Sequence, residues 1–199
     1  MKKLFLMVFM AIATTVFAQS KINFESGNLD ILKGQSEVNV QFLFENAKFQ
    51  TDNYTEEQYL ERRKKESLEK KTEKFWESWI GEWNNHRNVV FFNKFIDGLN
   101  EKAKKIKFGK DLKTKYTLII DSKWIYAGWS GFVMQPGKLS TEIRIVETDN
   151  PSKVLTKIQT DKIEGTGSKV NYGMEYGRIS AAYEKTGKEL GKEIKNALK

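Results

Sequence analysis

The apolar residues of this chain change period as the sequence runs, and that constrains the fold more than anything else in it. Over residues 38–44, Val38, Val40, Phe42 and Phe44 alternate with Asn39, Gln41 and Leu43. A period of two is the mark of a β-strand with one buried face. From residue 55 to about 105 the spacing becomes helical, from 116 to 160 it returns to short strands, and from 173 to 198 it is helical again. Strands, then helices, then a run of strands and a closing helix describe an α+β protein rather than an alternating α/β one.

Each stretch carries its own start and stop signals. Thr55 with Gln58 three residues on, and Glu56 and Glu57 in the first turn, open a helix over 55–80. Gly81 is the expected break, and a second helix follows over 85–105 with Val89, Phe92, Phe95, Ile96 and Leu99 on its apolar side. Strands are expected over 116–120, 124–134, 141–148 and 154–160. Turns at Gln135-Pro136-Gly137-Lys138 and Asp149-Asn150-Pro151-Ser152 would fold these into an antiparallel meander. A hairpin around Ser26-Gly27-Asn28 is expected before the first clear strand. The last helix has a stripe of Ile179, Tyr183, Leu190, Ile194 and Leu198, and lysines crowd its final turns, where they suit the helix dipole. The expected architecture is one α+β domain over 19–199. A mostly antiparallel sheet of four to six strands packs against the long C-terminal helix, with a helical insertion at about 55–105 after the first strand.

The N-terminus has a separate purpose. Lys2 and Lys3 precede an apolar run from residue 4 to 17, broken only by Thr14 and Thr15, and Val16-Phe17-Ala18 precedes Gln19. This is the pattern of a cleavable signal peptide over 1–18, and the run is short for a membrane-spanning helix. The alternative is an uncleaved N-terminal anchor. No cysteine follows, so a lipid anchor on cysteine is excluded, as are disulfides and thiolate chemistry; His86 is the only histidine. The expected location is periplasmic or secreted. Removing residues 1–18 takes two lysines and no acids from a net charge of +8, leaving a basic, cysteine-free chain at +6. No further run of spanning length occurs.

No set of residues declares a chemistry. Gly165-Thr166-Gly167-Ser168-Lys169 lacks the spacing of a phosphate-binding loop and reads as a plain loop. Ser67-Leu68-Glu69-Lys70 matches a serine-enzyme tetrad, but lies in a charged helix without the companion motifs, and Lys185-Thr186-Gly187 falls in the last helix. His86 has no assignable partner and reads as a cap or linker residue. Asp97, Asp121, Glu142, Glu147 and Asp161 are carboxylates among which sequence favours none. The basic stretches 62–74 and 102–115 read as solvated faces or contacts to anionic lipid or polymer, not as a nucleic-acid surface, since acids are interleaved in the first and the chain is exported. Trp76, Trp79 and Trp83 fall on one helical face. They are either core or a surface for a partner, a glycan or a membrane interface.

Leu32-Lys33-Gly34-Gln35-Ser36-Glu37-Val38-Asn39-Val40, Lys115-Tyr116-Thr117-Leu118-Ile119 and Asn150-Pro151-Ser152-Lys153-Val154-Leu155 resemble an uncharacterised family of exported proteins from Bacteroidetes. Arg178-Ile179 through Ala182-Tyr183 to Gly187-Lys188 and Leu190-Gly191-Lys192 does so too. The second half also resembles, in topology, envelope lipoprotein modules of the penicillin-binding-protein activator and curli-secretion types. That likeness implies an envelope interaction module rather than an enzyme. The leading expectation is therefore a non-catalytic periplasmic or secreted binding module with no assigned cofactor, metal or catalytic residue. Its expected partner is another envelope protein or an anionic envelope polymer, and Trp76, Trp79 and Trp83 are its candidate partner surface. A hydrolase using carboxylates is the first alternative. A structural envelope component that self-associates through the tryptophan face is the second.

Overall fold

A computed structural model describes residues 21–199 of the chain. The expected signal peptide, residues 1–18, lies outside the described residues. Seven strands form one mixed sheet: β1 (Ile22–Ser26), β2 (Glu37–Leu43), β3 (Lys48–Phe49), β4 (Lys107–Gly109), β5 (Tyr116–Tyr126), β6 (Lys138–Glu147) and β7 (Asn150–Glu164). Four helices accompany them: α1 (Glu56–Lys70), α2 (Glu73–Asn85), α3 (Phe91–Ala103) and α4 (Glu175–Ala197). The sheet order is β1-β7-β6-β5-β2-β4, and β3 pairs with β5 beyond the end of β2. The long pairings β5–β6–β7–β1 are antiparallel, as the meander pattern requires, while β2 runs parallel to both β5 and β4. The fold is α+β with a long C-terminal helix.

The sheet is wider than the expected four to six strands. β3 and β4 have two and three residues, too few to display an alternation. The expected hairpin at 26–28 does not form: β1 pairs instead with β7, with Ile22 opposite Thr160, 138 residues on. The strands expected at 116–120 and 124–134 are one strand, β5, ending at Tyr126. A register shift between Ser122 and Trp124 keeps Ile125 on the buried face. The helices follow three strands rather than one.

The helical segment also divides elsewhere than expected. Thr55 and Gln58 cap α1 reciprocally, at 3.2 Å and 2.9 Å, as their spacing implies. The break then comes at Lys71 and Thr72, where the Thr72 hydroxyl accepts from the Phe75 amide and starts α2. Gly81 sits inside α2 with open space around it. Its cost of about 1 kcal/mol relative to alanine is offset by the burial of Trp79 and Trp83 on the same helix. A π-helical turn, His86–Val90, carries α2 directly into α3.

α4 lies on β6 and β7, and α3 lies on α4. The two helices approach through glycines. A Cβ at Gly98 would sit 2.1 Å from the Glu184 carbonyl oxygen, and one at Gly187 2.1 Å from that of Phe95. The core runs between sheet and helices, through Leu118, Ile120, Ile143, Ile145 and Ile158 on the sheet and Phe95, Leu99, Ile179, Tyr183 and Leu190 on the helices. The alternate residues of the central strands, such as Glu142, Lys157 and Gln159, stand on the opposite face and pair with one another.

Candidate functional site

Of the three tryptophans expected to form a partner surface, two lie in the core. Trp79 and Trp83 are 1% and 0% exposed, so neither can present an indole to a partner. Their spacing is that of a helix face turned inward: Trp83 packs on Phe49 and Tyr59 and donates its indole N–H to Glu56. Trp76, half-buried, stacks on Trp79 at 5.6 Å and ends this ladder at the surface. Arg63 lies over the outer ring of the buried pair, 5.3 Å from Trp79.

The large exposed apolar side chains gather instead at the connection between β5 and β6. Phe132 is fully exposed, Val133 is 66% exposed, and Met134 and Trp129 are 44% and 43% exposed. Sequence placed a strand here because the residues are β-formers, and so missed that they belong to a tip. The signal was present in the two glycines and the proline that flank them: Gly128 has φ +65, and its missing Cβ lets the Gln135 carbonyl approach. The backbones of Trp129 and Gln135 exchange hydrogen bonds at 2.9 Å and 3.2 Å, which closes the tip as one further rung of the hairpin.

The base of the tip is held from below. Arg178 of α4 is buried, and its guanidinium donates to the carbonyls of Ala127 at 2.8 Å, Tyr172 at 2.7 Å and Gly128 at 3.4 Å. Burial lowers the pKa of this group, and the nearby Glu175 carboxylate opposes that shift. Glu175 itself accepts from Arg63 and from the Tyr59 hydroxyl, which ties the start of α4 to α1. Glycine at 137 lets β6 pass close over the backbone of Arg178. One side of the hairpin below the tip carries an aromatic pair, Trp124 stacked on Tyr126 at 6.1 Å. The Tyr126 hydroxyl donates to Gln135, and the Lys162 ammonium lies 5.5 Å from the Trp124 ring.

The other sequence candidates are dispersed. Ser67 is buried and donates to the Arg63 carbonyl, while Lys70 is exposed. Gly165 donates to the Gly137 carbonyl and sits where a Cβ would strike Ala182, so its size serves the packing of β7 on α4. His86 Nδ1 donates to the Glu82 carbonyl at 2.8 Å, at the end of α2, and its ring faces Tyr176. Asp121 and Glu142 are cross-strand partners on the face away from the helices. Asp121 is bound by Lys123, and Glu142 by Lys157 and Gln159. Partial burial pushes the Glu142 carboxyl up, but the hydrogen bond from Lys157, the charges of Lys123 and Lys157 and the hydrogen bond from Gln159 together hold it below the usual carboxylate range. Glu147 pairs with Lys153, Asp161 accepts from Ser140, and Asp97 is an exposed residue of α3.

A cleft of ≈ 650 Å³ opens beside β2. It is lined by Val40 to Phe42 of β2, by Arg87 and Val89 of the π-helical turn, and by Lys110 and Asp111. β4 pairs with β2 only as far as Asn39, so the outer edge of β2 has no strand beside it from Val40 on among the described residues. Arg87 is held there by Glu56 at 2.9 Å and lies over the Phe44 ring.

No protein-family model matches the chain, and no curated protein matches it. Among solved structures, the PelC dodecamer from Paraburkholderia phytofirmans is similar at 8% identity, covering 82% of this chain and 96% of that chain with a TM-score of 0.38. A likeness this slight carries no argument about function.

Proposed function

We propose that this protein is an exported, non-catalytic interaction module of the cell envelope, and that the β5–β6 tip is its contact surface. Its membership of the exported Bacteroidetes family is part of the same proposal. The observation that carries the reading is the tip itself: Trp129, Phe132, Val133 and Met134 exposed together on a base fixed by Arg178. Contiguous exposed apolar side chains on a soluble fold mark a contact site rather than ordinary surface. Mounting them on buried hydrogen bonds lowers the ordering cost of contact. Asp121 and Glu142, the two candidate carboxylates that face each other across β5 and β6, are each neutralised by a lysine. That is the expected state of structural charges.

The test is photo-crosslinking in a bacterial host that exports the chain. A photoreactive residue replacing Phe132 is expected to trap an envelope component, and the same residue replacing Asp149, in the turn between β6 and β7, is not. Equal yields at the two positions would remove the tip as the contact surface. The mass of the recovered chain reports the export half of the proposal, with Gln19 as its expected first residue.

A further inference from the structure

We propose that the tip's partner is a lipid bilayer with anionic headgroups, into which Phe132, Val133, Met134 and Trp129 insert from the sheet end; this rests on the tip being the contact surface. The order of side chains down the hairpin is the argument. Phe132, Val133 and Met134 form the crest. One rung below stand Trp129 and Gln135. Next comes Tyr126 opposite Lys138, and then Trp124 with Lys162 over its ring. Hydrocarbon first, then amphipathic aromatics, then ammonium groups is the sequence of layers in a membrane read from its core outward. A pocket in a protein partner would select a shape. This tip presents a depth order instead.

The path of the chain points the same way. Lys21, the first described residue, lies at this end of the sheet: its carbonyl accepts from the Asp161 amide at 3.0 Å, and its ammonium donates to the Lys162 carbonyl at 3.3 Å. The apolar run of residues 4–17 ends four residues before it in the sequence, so the chain enters the described fold at the tip's end and not at the far end. Charge complements the surface. Lys21 and Lys138 share Glu164, and Lys162 is in no ion pair among the described residues. Asp161 is the other acid on that side, and on the other side of the tip Asp52, Glu66 and Glu175 are matched by Arg62, Arg63 and Arg178, which leaves this end one charge positive within a chain of net +6 after residue 18. Lysines at this depth sit against anionic headgroups.

The experiment uses the exported chain and vesicles of phosphatidylcholine, with and without about a quarter phosphatidylglycerol. Co-flotation with the anionic vesicles is expected. The triple variant F132S/V133S/M134S should bind about tenfold more weakly or less, with unchanged circular dichroism because all three side chains are exposed. Lys162→Glu should reduce the preference for anionic over neutral vesicles. Brominated acyl chains should quench tryptophan emission, and Trp129→Phe should remove most of that quenching. Unchanged flotation of the triple variant, or quenching that survives Trp129→Phe, overturns the bilayer proposal. If wild type does not float but position 132 crosslinks a protein in cells, the bilayer proposal falls and the interaction module stands. If neither occurs, both fall.

Discussion

Tyr183 occupies the point where sheet and helices meet, and its single oxygen has one partner, the Ser122 hydroxyl at 2.8 Å. Burial pushes the phenol well above its ordinary value of 10.0, and Tyr59, buried beside the Glu175 carboxylate, is pushed up as well. Below pH 10 both tyrosines are protonated folded or unfolded, so neither adds pH dependence there. Above it the unfolded chain releases protons that the folded chain retains, and stability falls as pH rises. Tyr183→Phe leaves the Ser122 hydroxyl buried without a partner, at a cost of about 1–2 kcal/mol at neutral pH. It should also flatten the loss of stability above pH 10. Urea unfolding of the two chains at pH 7 and pH 10.5 checks both halves, and an unaltered alkaline slope would remove Tyr183 as its source. At this scale sequence was informative about burial and silent about direction. The spacing of Trp76, Trp79 and Trp83 showed one face, and only the fold decides that Trp83 meets Phe49 and Tyr59 rather than solvent. Residue spacing fixes which side chains share a face, but not what lies opposite.

Elements were legible where local chemistry sets them. The reciprocal cap of Thr55 and Gln58 needs no tertiary help, and it forms as read. The boundary at Thr72 and the uninterrupted passage through Gly81 depend instead on the core drawing Trp79 and Trp83 inward, which outweighs the propensity of one glycine. β3 and β4 exist because β5 and β2 offer them an edge, so no sequence period announces them. The tip is the element with the most consequence. Its rigidity is referred to α4 through Arg178, a charged residue whose burial sequence could not show. Arg178→Lys keeps the charge and loses the forked donors, leaving two or more of the carbonyls of Ala127, Gly128 and Tyr172 short of a partner. The expected result is local. Amide exchange at Trp129 and Gln135, whose mutual hydrogen bonds close the tip, should speed by about tenfold or more, given about 1–3 kcal/mol for each unpaired buried carbonyl. Exchange in the centre of β6 should change by less. Equal acceleration throughout would mean that Arg178 supports the whole fold and not the tip.

Across the molecule, an unbroken series of rings joins the layers. Tyr59 of α1 packs on Phe49 of β3 at 4.9 Å, Phe49 on Trp83 of α2 at 5.8 Å, Trp83 on Phe91 of α3 at 6.0 Å, and Phe91 on Tyr183 of α4 at 4.9 Å. Tyr183 returns to Phe42 of β2 at 5.1 Å. Strand order is where sequence was least able to help. β1 closes the sheet against β7 and β2 enters between β4 and β5, and such distant pairings are rewarded only after long loops have closed. The same non-local wiring makes the expectation of one domain over 19–199 testable. If the helical segment from α1 to α3 were a separate unit, the ring series would be an interface, and the tryptophans of α2 could lose it while β5–β6–β7 stayed paired. With the series intact, removing α2 strips Phe49 and Phe91 of neighbours that also hold the sheet to α4, so neither part can melt alone. Tryptophan emission reports chiefly on Trp76, Trp79 and Trp83, three of the five indoles, whereas circular dichroism in the strand region reports on the sheet. The two urea transitions are expected to coincide in midpoint and slope, as a single cooperative unit requires. An emission change that precedes the loss of strand signal by a resolved step would divide the chain into two units and retire the one-domain expectation.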